Sequence, residues 1–204
     1  SIDDSLLNNL IRLRDNDSSV LDFFNNCKIS DEEIRKNAVI ITPFRAVADN
    51  INTQRLNQIN EIPVTYTGKI DGAFNTNDVP APMELTLKQG ALVMFVKNSD
   101  KWHNGSLGIV ENLGTKEIIV QLLDDDKNIV VVKPEKWSKI EYSRDENDRI
   151  IENEVGSYKQ FPLILGYAMT IHKAQGKTLN KVVIDISRGA FAHGQTYVAL
   201  SRTI

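Results

Sequence analysis

A short apolar run that leads directly into a helical pattern restricts the fold of this chain more than any other feature. Residues 38–41 read AVII, a continuous apolar segment typical of a strand buried within a parallel sheet. Thr42 then suits a helix N-cap, and Pro43 suits the first helical position. Apolar side chains recur after it at helical spacing: Phe44, Val47, Ala48, Ile51, Leu56 and Ile59. The sequence therefore predicts a strand–helix unit of an α/β layer.

A different pattern, of short β strands, lies between about residues 62 and 151. Glycines separate four of its apolar runs, which favours a small barrel; these runs are 91–96, 107–111, 117–122 and 128–133. Asn104 and Gly105 give the strongest turn signal, since a type I′ turn needs positive φ at both central positions.

The α/β pattern returns after Phe161. The predicted elements are a strand near 163–167, a short helix from Thr170, a strand at 181–186 and a helix from about 194 to 202. The β region is therefore predicted to be an insertion between two halves of one α/β domain. Before it, residues 5–27 predict two short helices joined by a polar turn.

Charge is distributed unevenly along the 204 residues. The net charge of −3 argues against a nucleic-acid partner. Residues 159–204, however, contain one acid and six basic residues, a local charge of +5, which leaves −8 for residues 1–158; the basic residues are Lys159, Lys173, Lys177, Lys181, Arg188 and Arg202. Anion binding is therefore predicted in the C-terminal stretch.

Cysteine content and hydropathy suggest where the protein resides. Cys27 is the single cysteine, so an internal disulfide is excluded and a reducing compartment is expected. No apolar stretch approaches the roughly 20 residues of a membrane helix. We therefore expect a cytoplasmic protein with no membrane partner, associated with the nucleoid if it is bacterial.

The QGKT sequence at 175–178 resembles the end of a phosphate-binding P-loop. A P-loop needs a further glycine five residues before Gly176, and that position is Ile171. Gly176 is therefore better interpreted as a helix C-cap. A self-contained P-loop phosphotransferase that uses Lys177 stays as an alternative, disfavoured by the missing glycine.

Thr170 is predicted to be an N-cap that follows a strand. His172 and Lys173 would flank the free amides of the helix start, an arrangement that suits a nucleic-acid phosphate. The alternative, in which Thr170 is only a cap and Lys173 only a solvated charge, stays open at this point.

Three C-terminal segments carry a family resemblance: TIHKAQG at 170–176, VVID at 182–185 and GQTYVALSR at 194–202. They resemble motifs V and VI of the superfamily 1B DNA helicases of the PIF/RecD-like group. LKQGA at 87–91, with Asn104, Gly105 and Gly108, resembles the SH3-like insertion of that family. The resemblance extends from about Val39 to the end of the chain.

The resemblance implies an α/β fold, a RecA-like P-loop-NTPase-type domain 2A with an inserted SH3-like β-barrel, domain 2B. The implied boundaries are 38–61 and 152–204 for domain 2A, 62–151 for the inserted region, about 86–145 for the barrel, and 1–37 for a helical link. The first RecA-like domain, with its P-loop and Mg²⁺-binding motif, would be missing. The implied function is the C-terminal half of an ATP-dependent helicase that moves 5′ to 3′ on single-stranded DNA, inactive as an isolated fragment.

The resemblance also implies roles for individual residues. Arg202 would be the arginine finger for ATP, and Gln175 and Gly176 would lie at the nucleotide cleft. ATP and Mg²⁺ would be held mainly by the missing domain, and no metal ligand is implied in this chain. Single-stranded DNA would be contacted by Thr170, His172 and Lys173, and also by Lys97 and Asn104 in the barrel. The alternative is a stand-alone nucleic-acid or peptide-binding adaptor built on the barrel.

Overall fold

The computed structural model describes residues 4–15, 17–26, 38–76, 79–123, 126–144, 148–175, 179, 182–185 and 195–201. The chain divides into two compact units. The first consists of Ser1–Asn57 and Gly166–Ile204, and the second of Gln58–Leu165. The second unit is therefore inserted into the sequence of the first, and the described residues form a mixed α/β fold.

All described α-helices belong to the first unit. In chain order they are α1 (Asp4–Arg14), α2 (Leu21–Asn26), α3 (Arg45–Asn57), α4 (Ile171–Ala174) and α5 (Gln195–Leu200), with a 3₁₀ turn at Ser18–Val20. The two helices predicted within 5–27 are confirmed as α1 and α2. No helix in the described part of the chain has the length and apolarity to cross a membrane.

Thirteen strands are described. They are β1 (Val39–Thr42), β2 (Val64–Thr67), β3 (Lys69–Gly72), β4 (Glu84–Leu87), β5 (Leu92–Phe95), β6 (Leu107–Leu113), β7 (Ile118–Leu122), β8 (Ile129–Val132), β9 (Glu135–Arg144), β10 (Ile150–Gln160), β11 (Leu163–Leu165), β12 (Ala168–Thr170) and β13 (Val182–Ile184). The four apolar runs predicted to be strands within the β region are confirmed as β5 to β8.

The first unit has a parallel sheet in the order β12-β1-β13. Val39 and Ile41 of the central strand are fully buried, as the continuous apolar run predicts. The predicted helix after it begins at Arg45, two residues later than expected. Thr42 is not an N-cap, because it lies in the sheet opposite Thr170 and is itself buried.

The second unit is antiparallel throughout its described strands. Its largest sheet has five strands in the order β11-β5-β6-β7-β8, beside a three-stranded sheet β3-β10-β9 and the pair β2-β4. All four residues of β5 are buried, so this strand lies at the centre of the core. Strands β9 and β10 form a long hairpin whose far end is exposed, with Tyr142 68% and Ile150 69% accessible.

The strand predicted near 163–167 is β11, which ends at Leu165, and a further strand, β12, follows it at Ala168–Thr170 in another sheet. β11 pairs antiparallel with β5 in the second unit, whereas β12 pairs parallel with β1 in the first. Because β10 and β11 both belong to the second unit, the first unit resumes at Gly166 and not at residue 152. Gly166 separates the two strands, but a single glycine does not indicate that the next strand joins another sheet.

The turn predicted at Asn104 and Gly105 is present, but it is not type I′. The Ser106 amide donates to the His103 carbonyl at 3.0 Å, and Gly105 has a φ of +103°. Asn104 is not among the described residues with positive φ, so only one central position is left-handed, as in a type II turn. The Asn98 side chain accepts the Asn104 amide at 2.6 Å and holds the turn in this form.

Candidate functional site

The carboxyl ends of the three parallel strands meet at one edge of the first unit's sheet. β1 ends at Thr42 and β12 at Thr170, and these two threonines are register partners. β13 ends at Ile184, and the following Asp185 amide donates to the Ile41 carbonyl at 2.9 Å. In open α/β sheets this edge is where ligands bind. The sequence motif that begins at Thr170 is therefore placed at the edge used for ligands.

Thr170 is the N-cap of α4, as predicted. Its backbone is extended, with φ −77° and ψ 153°, and its Oγ1 accepts the Lys173 amide at 3.3 Å. Ile171 and Ala174 are buried beneath the turn, while His172 and Lys173 are exposed. A single helical turn thus exposes an imidazole and an ammonium group to solvent, and its backbone is fixed by the Thr170 cap and by the two buried side chains.

The same turn weighs against a P-loop. Ile171, at the position where a P-loop requires glycine, is a buried helical residue with 2% exposure. Gln175 ends the turn, and its amide donates to the His172 carbonyl at 3.2 Å. Lys177, on which the phosphotransferase alternative depends, lies outside the described residues.

Asn52 on α3 fixes the strand that leads into this turn. Its Nδ2 donates to the Ala168 carbonyl at 2.8 Å, and its Oδ1 accepts the Ala168 amide at 3.0 Å. The side-chain amide therefore pairs with the outer edge of β12 in the manner of a further strand. Sequence reasoning missed Asn52, because the two partners are 116 residues apart. The available signal was a polar amide next to the apolar stripe of a helix.

Two predicted ATP-site residues, Gly176 and Arg202, lie outside the described residues. The helix that precedes Arg202 is described: α5 contacts both α1 and α4, and Ala199 on it is fully buried. Gln175 is described and exposed.

Lys97, a predicted DNA contact, has internal partners. Its Nζ donates to Glu135 Oε2 at 3.0 Å and to the Lys136 carbonyl at 2.8 Å. It also lies 5.3 Å from the ring centroid of Trp137. Lys97 thus joins the segment after β5 to the start of β9, a role that its type and local sequence do not reveal.

The predicted DNA contact Asn104 and the aromatic residue Trp102 lie close to Lys97 in sequence. The Asn104 amide is bound by Asn98, as described above. Trp102 is 8% exposed, stacks on Phe95 at 4.5 Å, and donates from Nε1 to the Lys97 carbonyl at 3.0 Å. The Trp102 ring is therefore core packing and is not available as a stacking surface.

The basic C-terminal stretch is divided between the two units. Lys159 lies in β10 of the second unit, whereas Lys173 lies in the first. The described basic residues of this stretch are therefore shared between the two units.

Comparison with known proteins links these observations to a family. No protein-family profile matches the chain. The ATP-dependent DNA helicase Pif1 of Campylobacter jejuni is 30% identical over 210 residues, which cover 95% of this chain and 46% of that protein. The crystal structure of Bacteroides sp. Pif1 in complex with ADP-AlF4 matches with a TM-score of 0.86 at 32% identity, covering 100% of this chain and 47% of that one.

A second Bacteroides Pif1 structure, bound to single-stranded DNA, matches with a TM-score of 0.69 at 33% identity and covers 100% of this chain and 47% of that one. The chain therefore spans about half the length of the relatives it matches.

The fold defines the class of the protein, and the comparisons define its family. The parallel sheet, with a capped turn at its carboxyl edge, places the chain among the α/β proteins. Within that class, the chain belongs to the Pif1 family of superfamily 1B DNA helicases. The resemblance found in the C-terminal motifs is confirmed.

Proposed function

We propose that this chain is the second motor domain, 2A, of an ATP-dependent 5′-to-3′ DNA helicase, with the second unit as its inserted SH3-like domain 2B. The main support is the match of the whole chain to Bacteroides Pif1 at a TM-score of 0.86. In this proposal the first unit is RecA-like and belongs to the C-terminal half of the protein. The Walker loop and the Mg²⁺-binding acids belong to a first motor domain outside this chain.

Single-stranded DNA is the proposed ligand of the carboxyl edge. The residues that would contact its phosphates are Thr170, His172 and Lys173, and a Pif1 of similar fold has been crystallised with single-stranded DNA. Exposure of the two basic side chains and the fixed backbone beneath them support this assignment. The internal partners of Lys97 favour a structural role for it in the inserted domain.

ATP would bind in the cleft between this chain and the first motor domain. Gln175 and Gly176 would line that cleft, and Arg202 would reach the γ-phosphate held, with Mg²⁺, by the other domain. A guanidinium is always charged and forked, which suits the charge that develops on a transferred phosphoryl group. The capped turn that ends at Gln175 ties the DNA contacts to the start of this cleft through adjacent residues.

The test is DNA-stimulated ATP hydrolysis by the chain joined to a first motor domain. Arg202→Ala should lower kcat by about 10³-fold or more and leave single-strand binding intact. Arg55→Ala, a matched change at an exposed position of α3, should retain full turnover. The chain alone should hydrolyse no ATP.

Two results would contradict this proposal. Turnover that Arg202→Ala leaves unchanged would remove the finger and leave the adaptor function as the better account. Robust hydrolysis by the chain alone would contradict the placement of the catalytic loop outside it.

A further inference from the structure

The second unit contains a cavity of about 540 Å³ that the sequence motifs do not mark. Strands β2, β3 and β10, the β6–β7 turn and the segment before β9 form it. Its lining combines three lysines, three threonines and two aromatic rings with a proline and a glutamine: Thr65, Tyr66, Thr67, Lys69, Thr115, Lys116, Pro134, Lys159, Gln160 and Phe161. Its size is within the range of pockets that take small organic ligands.

Two of the lysines face each other across the sheet. Lys69 on β3 and Lys159 on β10 are direct register partners, so their side chains leave the same face about 5 Å apart. Like charges directly opposite one another destabilise an antiparallel pair. Lys116, from the β6–β7 turn, adds a third positive charge to the same cavity.

These three lysines, unlike Lys97 and Lys136 of the same unit, have no acidic partner among the described residues. Lys97 pairs with Glu135, and Lys136 pairs with Glu154. Lys69, Lys116 and Lys159 make no ion pair with any residue that the structure describes. Their positive charge is therefore uncompensated within the described part of the chain, and an anion would relieve their repulsion.

Hydrogen bonds and aromatic packing fix the wall of the cavity. The Tyr66 hydroxyl donates to the Gly114 carbonyl at 2.9 Å, and the Tyr66 ring packs edge-on against Phe161 at 4.7 Å. Burial raises the pKa of Tyr66, so its hydroxyl stays protonated and neutral. Gln160, 3% exposed, donates to the Tyr66 carbonyl and accepts the Phe161 amide. This network fixes the strand ends that carry the lysines.

The chemistry of the lining favours phosphate over other anions. Among the described lining residues none is acidic, although the Thr67 hydroxyl donates to Glu84 Oε1 at 3.3 Å. Lysines and threonine hydroxyls are typical phosphate contacts of nucleic-acid-binding proteins. A nucleic-acid strand carries a negative charge at every nucleotide, which matches several lysines in one cavity.

We infer that this cavity is a second nucleic-acid site, in which Lys69, Lys116 and Lys159 bind successive backbone phosphates and Tyr66 contacts a sugar or base. The inference rests on the proposed function, since it takes DNA as the ligand. The site belongs to the second unit alone and shares no residue with the turn at Thr170.

The test compares the chain with the double variant Lys69→Gln/Lys159→Gln. Binding of a fluorescent oligonucleotide, single-stranded or duplex, is measured by anisotropy over a series of salt concentrations. Loss of two phosphate contacts should lower the salt slope by about 1.4 for a single strand or about 1.8 for a duplex. The form of DNA that shows the loss identifies the strand in the cavity. Lys127→Gln, an exposed lysine outside the cavity, should leave the slope unchanged.

A thermal unfolding scan shows whether the double variant is folded. Its midpoint without DNA should be no lower than that of the wild type, because the substitution removes the repulsion. Inorganic pyrophosphate should raise the wild-type midpoint and leave that of the variant unchanged.

The outcomes separate this inference from the proposed function. If wild type and double variant show the same slope while Lys173→Gln weakens binding, the second site is wrong and the proposed function stands. If an acidic peptide competes better than the oligonucleotide, the nucleic-acid assignment of the cavity is wrong. If the wild type binds no DNA but pyrophosphate stabilises it through the lysines, the DNA ligand is wrong and the cavity serves another anion.

Discussion

The two units differ in the exposure and the partners of their basic side chains. In the first unit, His172 and Lys173 lie exposed on a capped turn at the carboxyl edge of a parallel sheet. In the second unit, Lys97, which the sequence predicts to contact DNA, forms an ion pair with Glu135 and lies over the Trp137 ring. Three other lysines, without an acidic partner among the described residues, line a cavity that no motif marks.

The difference follows from how each site is assembled. Residues 170–175 are contiguous, so one motif specifies both the turn and the side chains it presents. In the second unit the partners come from distant strands: Lys97 meets Glu135 38 residues later, and Lys69 meets Lys159 across β3 and β10. Local sequence therefore predicts the placement of basic residues in the first unit, whereas in the second unit it does not reveal their partners.

The largest expected effect tests whether the second unit has a core of its own. Tyr158 is fully buried, lies between the rings of Phe74 and Trp137, and donates to the carbonyls of Ala81 and Pro82 at 2.9 and 3.0 Å. Tyr158→Ala should lower the free energy of unfolding by about 3–5 kcal/mol. Tryptophan fluorescence during urea denaturation measures this, because both tryptophans lie in the second unit.

A matched substitution of an exposed tyrosine separates the effect of burial from the effect of losing a tyrosine side chain. Tyr142→Ala removes an exposed tyrosine from the far end of the β9–β10 hairpin, and its effect should stay within about 0.5 kcal/mol. Far-ultraviolet circular dichroism follows mainly the first unit, where all described α-helices lie. If Tyr158→Ala shifts the fluorescence and dichroism transitions equally, the two units unfold as one and the contrast between them does not extend to stability.

Sequence predicted the first unit's elements well and the second unit's details less well. The run at 38–41 identified β1, and the Thr170 cap identified α4, because each depends on adjacent residues. The assignment of β11 and β12 to different sheets could not be predicted, since only tertiary pairing determines it. The Asn104 turn was predicted in place but not in type, because Asn98, six residues away, decides its form.

A smaller effect is expected in the first unit, from the loss of the Asn52 amide. Asn52→Ala leaves the amide and carbonyl of the buried residue Ala168 without their side-chain partners, which should cost about 1–3 kcal/mol. The helical dichroism transition should move to lower urea, and the tryptophan transition of the second unit should not.

Asn50→Ala is the matched control for Asn52→Ala. Asn50 is exposed on the same helix, and its contact there is a 3.4 Å hydrogen bond from Gln54, so its loss should cost no more than about 0.5 kcal/mol. Equal losses from the two variants would mean that helix propensity, and not the pairing with β12, accounts for the effect.

The smallest effect tests the contrast between the two kinds of lysine directly. Lys173→Gln removes an exposed charge at the ligand edge, so the salt slope for single-stranded DNA should fall by about 0.7, with no change in stability. Lys97→Gln should do the reverse: DNA affinity is unchanged, and the free energy of unfolding of the second unit falls by about 1 kcal/mol because the bonds to Glu135 and the Lys136 carbonyl are lost.

The pair of variants can contradict the contrast in either direction. If Lys97→Gln lowers the salt slope as much as Lys173→Gln does, the ion pair with Glu135 breaks when DNA binds, and Lys97 is a DNA contact. If Lys173→Gln changes neither slope nor affinity, Lys173 is a solvated charge on a capped turn, and the ligand edge contacts DNA through other groups. A lower salt slope for Lys173→Gln together with lower stability for Lys97→Gln is the only result that agrees with a DNA-binding edge in the first unit and a structural ion pair in the second.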